Sequence, residues 1–286
     1  MPTLAFLLVL LAAFAHSGWN LLAKRAAHVK HLIWFSSVSE SLLFAPVAVW
    51  ALAAAWPNIR SKAAMLLVAT GVLHLLYAES LLRGYRAGDL SVVYPVARGS
   101  GPLLSFFGAI LILGERPSAL ATAGAMLVTC GVLLLSGGGR TLQDRAGRAG
   151  LLWGIATGFT IACYTLVDGY SVKKLLLSPL LVEYAGNVFR TIALAPGAWR
   201  RRALLGSEYR ANWKAVLGIA VLTPCGYVLV LFAMKLAPVS HIAPMREISM
   251  MIGAYLGAKF LGEGYALRRV LGAAIIAAGA AMLAFG

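Results

Sequence analysis

The sequence predicts an all-α integral membrane protein of ten transmembrane helices, arranged as two inverted five-helix repeats. Three observations predict it. The first is composition: of 286 residues, 60% are hydrophobic and 12% charged, where a soluble domain carries roughly 25% charged residues. The mean hydropathy is +0.83. The second is segmentation into apolar runs of about 20 residues, the length a helix needs to cross the hydrocarbon core. The third is that the two halves of the chain look alike.

In order, the apolar runs fall near 3–23, 32–56, 63–83, 90–113 and 118–136. After the Gly- and Arg-rich stretch "SGGGRTLQDRAGRAG" come runs near 149–169, 179–199, 213–234, 239–261 and 267–285. This gives a first repeat over 1–137, a linker over 138–148 and a second repeat over 149–286. "MPTLAFLLVLLAAFA" has the apolar core and Ala-x-Ala end of a signal peptide, but no Lys or Arg precedes its apolar run. It also has a counterpart in the second half, so it is expected to remain as the first span.

The repeat rests on specific residues. "LGERPSALATAGAMLVTCGVLLL" resembles "LGEGYALRRVLGAAIIAAGAAML". Gly114 and Glu115 fall on Gly262 and Glu263, Gly124 on Gly272, and Gly131 on Gly279, all at one offset. "RAGDLS" lies over "KLAPVS" one residue further on, setting Ser91 on Ser240 and Pro95 on Pro244. Arg98 then falls on Arg246 at the first offset, and "SGWN" at 17–20 lies over "ACYT" at 162–165. Five helices per half is an odd number, so the second half enters the membrane the opposite way round, as in many secondary transporters.

On "HSGWNLLAK" in the first run, "GDLSVVYPVARGSGPLL" with "LILGE" further along, and "APVSHIAPM" with "FLGE" in the second half, the sequence resembles the EamA family of the drug/metabolite transporter superfamily. The resemblance covers nearly the whole chain. It implies a ten-helix carrier working by alternating access without ATP hydrolysis. Family members include bacterial exporters of amino acids and other small metabolites. The expected function is therefore export or facilitation of such metabolites, amino acids first, across the bacterial inner (plasma) membrane. The alternative is proton-coupled efflux of cationic or lipophilic toxic compounds.

Other classes fit poorly. No P-loop is present. Paired aspartates, a Ser–His pair and HExxH are lacking, so an enzyme is not expected, and neither is a cofactor or a metal. Cys130, Cys163 and Cys225 sit in apolar runs without CxxC spacing and read as packing residues. The net charge of +15 lies in short connectors such as "KRAAHVKH" and "RRALLGSEYR". That is the pattern of loops against anionic lipid, not of a nucleic-acid surface. The expected partners are a small-molecule substrate and the lipid bilayer, with a monomer as the working expectation. The odd-numbered connectors hold most of the Lys and Arg, which places them in the cytoplasm and both termini outside. The family resemblance implies cytoplasmic termini, so the two arguments oppose each other.

Ionisable groups at membrane depth cost about 2.5–3.5 kcal/mol each on insertion scales, which makes them functional candidates by default. The basic ones are Arg98, Arg190 and Arg246; the acidic ones are Glu40, Glu79, Glu183 and Glu247; His16 and His74 are also embedded. Arg98 lies about 12 Å into its span. Gly101 and Ser105 share its helix face, as Ser249 and Gly253 share that of Arg246. Pro95 and Pro244 precede the two arginines and are the expected hinges. Arg98 and Arg246 are expected either to meet a substrate carboxylate or to pair with Glu40, Glu183 or Glu247. Arg190 has Glu183 within reach on its own helix.

The candidate substrate-binding set is Trp19, Asn20, Tyr77, Tyr94, Arg98, Tyr164, Tyr227 and Arg246. Its rings could grip an apolar or cationic group, the alternative being packing or interfacial anchoring. Glu40, within "SSVSES", and His16 are the proton-coupling candidates. Their alternatives are a salt bridge and an interhelical hydrogen bond. Glu115 and Glu263 are expected to serve the positive end of the helix that follows each, with Pro117 in a first turn.

Overall fold

The structure is a computed structural model that describes residues 1–26, 28–56, 61–87, 90–136, 145–200, 202–261 and 267–286. Side chains are described for all of these except 90–92, 95, 135–136, 145–146, 257–258, 260–261 and 268–269. Gly262, Glu263 and most of the 138–148 linker lie outside the described residues.

The described residues form helices and no strand. In chain order these are α1 (Thr3–Arg25), α2 (Leu32–Ala55), α3 (Ser61–Ala87), α4 (Leu90–Leu113), α5 (Ala119–Ser136) and α6 (Arg145–Lys173). They continue with α7 (Pro179–Trp199), α8 (Arg202–Leu236), α9 (Val239–Met245), α10 (Ile248–Leu261) and α11 (Leu267–Phe285). Every apolar run of the sequence falls on a helix. By length and composition, α1, α2, α3, α4, α6 and α8 are able to cross a membrane, and α5 and α11 are shorter apolar helices.

Local chemistry explains the ends. Lys24 and Arg25 sit in the last turn of α1, where cations meet the negative helix end. Pro179 occupies the first turn of α7, where its missing N–H removes nothing. Helix α8 starts well before its apolar run because "RALLGSEYRAN" is polar yet rich in good helix formers.

One expected span is not a continuous helix. The 239–261 run divides into α9 and α10 at Arg246–Glu247. Pro244, buried inside α9, has no N–H and crowds the preceding carbonyl. The chain tightens there: the Glu247 amide donates to Pro244 O at 3.0 Å and the Ser249 amide to Arg246 O at 3.1 Å. These are three-residue steps in place of four.

Helices from the two ends of the chain interleave. α1 packs on α8, α3 on α6, α4 on α6, α2 on α7, and α1 also on α10. The most extensive pairing is α5 with α11. Glycine makes it possible: a Cβ on Gly124 would lie 2.7 Å from Gly279 O, and one on Gly131 would lie 2.9 Å from Gly272 O. Such small-residue contacts let two backbones approach where lipid gives no hydrophobic push. Phe106, Val128, Ile276 and Leu283 fill the core. Trp50, Leu111, Ile112 and Phe159 face outward, as a hydrocarbon solvent permits.

Candidate functional site

Helix α4 carries Arg98 to the α9–α10 break. Its Nη2 lies 2.9 Å from Glu247 Oε2 and donates to Ser249 Oγ at 3.4 Å. Glu247 is buried, so of the carboxylates within the sequence's reach it is the one Arg98 meets. The Ser17 hydroxyl of α1 lies 2.7 Å from Ser249 O and so ties a third helix to the same break. Arg246 is held differently. It donates from Nη1 to Thr165 Oγ1 at 3.5 Å, and its guanidinium lies 5.5 Å from the centre of the Tyr227 ring. Among the described residues no carboxylate stands in ion-pair range of Arg246. Arg98, Ser105, Ile161, Thr165, Arg246 and Glu247 line a narrow cleft with room for about one water molecule. Two guanidiniums against one carboxylate leave it positively charged, a setting for an anionic group.

Next to Arg246 is a cage of rings. Tyr77 and Tyr164 lie 5.8 Å apart, and Tyr164 and Tyr227 6.3 Å. His74 meets Tyr164 edge-on at 4.2 Å and Tyr227 at 5.4 Å. Tyr77, Tyr164, Tyr227 and Arg246, scattered in sequence, are thus one cluster. Tyr94, half-buried, is one turn before Arg98 on α4.

The cage contains a residue that sequence reasoning missed. Asp168 is fully buried and accepts a 2.5 Å hydrogen bond from the Tyr227 hydroxyl. Its Oδ2 lies 3.6 Å from His74 Nε2. The apolar run was expected to end near 169, but α6 continues to Lys173 and encloses it. The available signal was a lone acid in "YTLVDGY", one turn beyond Tyr164.

Other candidates lie apart from this cluster. The Trp19 indole N–H donates to His16 Nδ1 at 3.1 Å, and its ring packs on a separate core group including Val29, Phe35 and Val216. Asn20 is exposed and donates to His16 O at 2.6 Å. His16 lies against Gly226, where an added Cβ would come within 3.2 Å of its ring. Pro95 lies within α4 and its side chain is outside the described residues.

Arg190 pairs with Glu40, at 3.3 Å, and not with Glu183 on its own helix. It also donates to Ser37 Oγ at 2.8 Å and to Asn187 Oδ1 at 2.7 Å. The α2–α7 contact is therefore a polar seam, and Glu40 occupies the salt bridge that was its alternative reading. Glu79 is not embedded among helices: it is half-exposed and pairs with Arg83 one turn along α3, at 2.7 Å. Beside the seam, Phe44, Val47, Leu180, Tyr184 and Val228 line an apolar crevice with Glu183 as its acid.

Glu115 also differs from expectation. It does not serve α5, which follows it. Its two oxygens accept the amides of Val239 and Ser240, each at 2.8 Å, at the start of α9. Lys173 Nζ, at the end of α6, lies 3.1 Å from Glu115 Oε1 and 3.1 Å from Ala237 O. Burial pushes the Glu115 carboxyl up, but the hydrogen bonds from Ser240 and Val239 and the Lys173 charge outweigh it and hold the group below the ordinary carboxylate range. Glu263, its sequence counterpart, lies outside the described residues.

Comparison with known proteins identifies the family. Residues 148–285 match the EamA-like transporter family. An uncharacterized transporter in the cobO 3'region of Sinorhizobium sp is 31% identical over 97 residues, which is 34% of this chain and 67% of that protein. A solved crystal structure superposes with a TM-score of 0.74, covering 99% of this chain and 96% of its own, at 17% identity. That last likeness is one of fold. The chain belongs to the EamA-like transporter family, membrane transporters of the drug/metabolite type.

Proposed function

We propose that this protein is a secondary transporter working by alternating access, and that it exports or facilitates small metabolites, foremost amino acids, across the bacterial inner membrane without ATP hydrolysis. Its ten spans form two inverted repeats, 1–137 and 149–286, joined by the 138–148 linker. The helix pairing supports this: exchanging the halves turns α1 on α8 into α6 on α3, and α4 on α6 into α10 on α1, all of which are observed pairs. The matched glycines obey the same exchange, Gly124 on Gly279 becoming Gly272 on Gly131.

The observation that carries the cargo assignment is Arg246. It is an arginine without a carboxylate in range among the described residues, beside a cleft and over the Tyr227 ring. A cargo carboxylate would complete its pairing, with Arg98 as the second donor and Tyr77, Tyr94, Tyr164 and Tyr227 against the side chain. Trp19, Asn20 and His16 would act at the α1 end of the pathway, and Pro95 and Pro244 as the bending points. The broken α9–α10 segment is the kind of discontinuous helix that carries substrate in transporters of this architecture.

The test is uptake of a panel of labelled amino acids into proteoliposomes, with and without a proton gradient. Saturable uptake supports the reading, and the gradient dependence separates facilitated diffusion from proton coupling. No uptake of any amino acid removes this cargo class. One observation favours a second cargo. The apolar crevice with Glu183 suits a lipophilic cation, with Glu40 as its proton partner. Cells producing a Glu40→Gln protein that keep full drug resistance would exclude it.

A further inference from the structure

We propose that Asp168 and His74 together form a proton-binding site linked to the cargo site through Tyr227. This rests on the transporter reading above in its facilitating form, since a proton that binds together with cargo travels with it.

The geometry isolates Asp168 from fixed cations. Among the described residues no Lys or Arg lies in ion-pair range of it; its partners are the Tyr227 hydroxyl, His74 Nε2 at 3.6 Å and the nearby Thr70 hydroxyl of α3. Asp168 Oδ1 and His74 Nε2 are both buried without a hydrogen-bond partner. Glu40 and Glu247, by contrast, each have an arginine at 3.3 Å or closer. A buried carboxylate with a free oxygen next to a free imidazole nitrogen is a place where one proton can be added or removed with small movement. No metal explanation competes, since the described residues hold no group of three or more His, Cys, Asp or Glu suited to an ion.

The charged and titratable surroundings come from α3, α6, α7, α8 and the α9–α10 break. His74 and Tyr77 come from α3, Tyr164 from α6, Tyr227 from α8, and Arg246 from the α9–α10 break. Glu183 and Arg190 on α7 act from further away. His74 also lies against Gly186 of α7, where an added Cβ would sit 3.7 Å from its Nδ1.

The link to cargo is Tyr227. Its hydroxyl donates to Asp168 while Arg246 lies over its ring. A proton from water binding Asp168 Oδ1 cancels the carboxylate charge, and the Tyr227 hydroxyl loses its ionised acceptor. Arg246 is then left with less opposing charge nearby, which favours an arriving cargo carboxylate. Release of the proton reverses this. Proton and anionic cargo therefore bind cooperatively, each raising the affinity for the other.

The test has two arms on the full-length protein. The first is infrared difference spectroscopy between acid and neutral pH on purified wild-type, Asp168→Asn and His74→Gln proteins. Loss of one protonated-carboxyl stretching band in Asp168→Asn, and a shifted pH midpoint of that band in His74→Gln, is the expected result. An unchanged band in Asp168→Asn overturns the assignment. Where Asp168→Asn fails to fold, Tyr227→Phe replaces it: removing the phenol must shift the band frequency, and an unmoved band overturns the site.

The second arm is the rate of amino-acid exchange against pH in proteoliposomes. The wild-type profile should be pH-dependent and that of Asp168→Asn flat, at whatever level it runs. A wild-type-like profile in Asp168→Asn, or dependence on a sodium gradient in place of pH, overturns the proposal. Failure of the wild type to carry any amino acid counts against the cargo reading alone, and the infrared arm then decides the proton site.

Discussion

Arg98 Nη2 and Glu247 Oε2 stand 2.9 Å apart across α4 and the α9–α10 break. The two residues are far apart in the chain, and Glu247 has almost no exposed surface. Removing Arg98 therefore strands a buried carboxylate, a loss of about 3–5 kcal/mol. Arg98→Ala is expected to lower the melting temperature in detergent strongly, and Arg98→Ala with Glu247→Ala is expected to recover part of it. A double variant as unstable as the single would mean that the pair is not the source.

The α5–α11 contact makes a second prediction. A Cβ at Gly279 would meet Gly124 O at 2.7 Å and Val128 N at 2.8 Å. Backbone atoms do not yield as a flexible side chain does. Gly279→Val should destabilise by about 1–3 kcal/mol, the ordinary range of overpacking, read as a lower melting temperature. Gly197, by contrast, has nothing within 4 Å of an added Cβ, so Gly197→Ala should leave melting nearly unchanged.

The Glu115 clamp predicts a pH dependence. Its carboxyl is held below the ordinary range in the folded protein. The stability it contributes is therefore present above the unfolded value, about 4.3 for a glutamate. It is lost as pH falls through the folded value. Glu115→Gln should be less stable than the wild type at neutral pH, and the gap should narrow as the pH falls below about 4. A gap that widens toward acid would contradict the clamp.

Much of the architecture was legible because lipid imposes a coarse rule. Apolar runs of spanning length had to be helical, and each is, with the 239–261 run divided into two helices. The failures have physical causes. The 239–261 run has the length of a single span, so it reads as one helix, although Pro244 and the adjacent charges Arg246 and Glu247 marked the place of the break. Asp168 lay inside the 149–169 run but one residue from its end, where a lone acid reads as the border of a span, while the helix itself ran on to Lys173. Tyr77, Tyr164 and Tyr227 could be named from the repeat, but their grouping around His74 is tertiary. Glu115 was assigned to the helix next to it in sequence. Only folding brings α9 to it.

The central claim is that a cargo carboxylate meets Arg246 in the cleft between α4, α6 and the α9–α10 break. The most direct measurement is countertransport of a labelled amino acid by wild-type and Arg246→Ala proteins in matched proteoliposomes, with melting temperatures taken in parallel. Arg246 has no carboxylate in range among the described residues, so its removal should leave folding intact. Loss of one charge-assisted contact should then slow countertransport about tenfold or more. An Arg246→Ala protein that folds and exchanges at the wild-type rate would contradict the account.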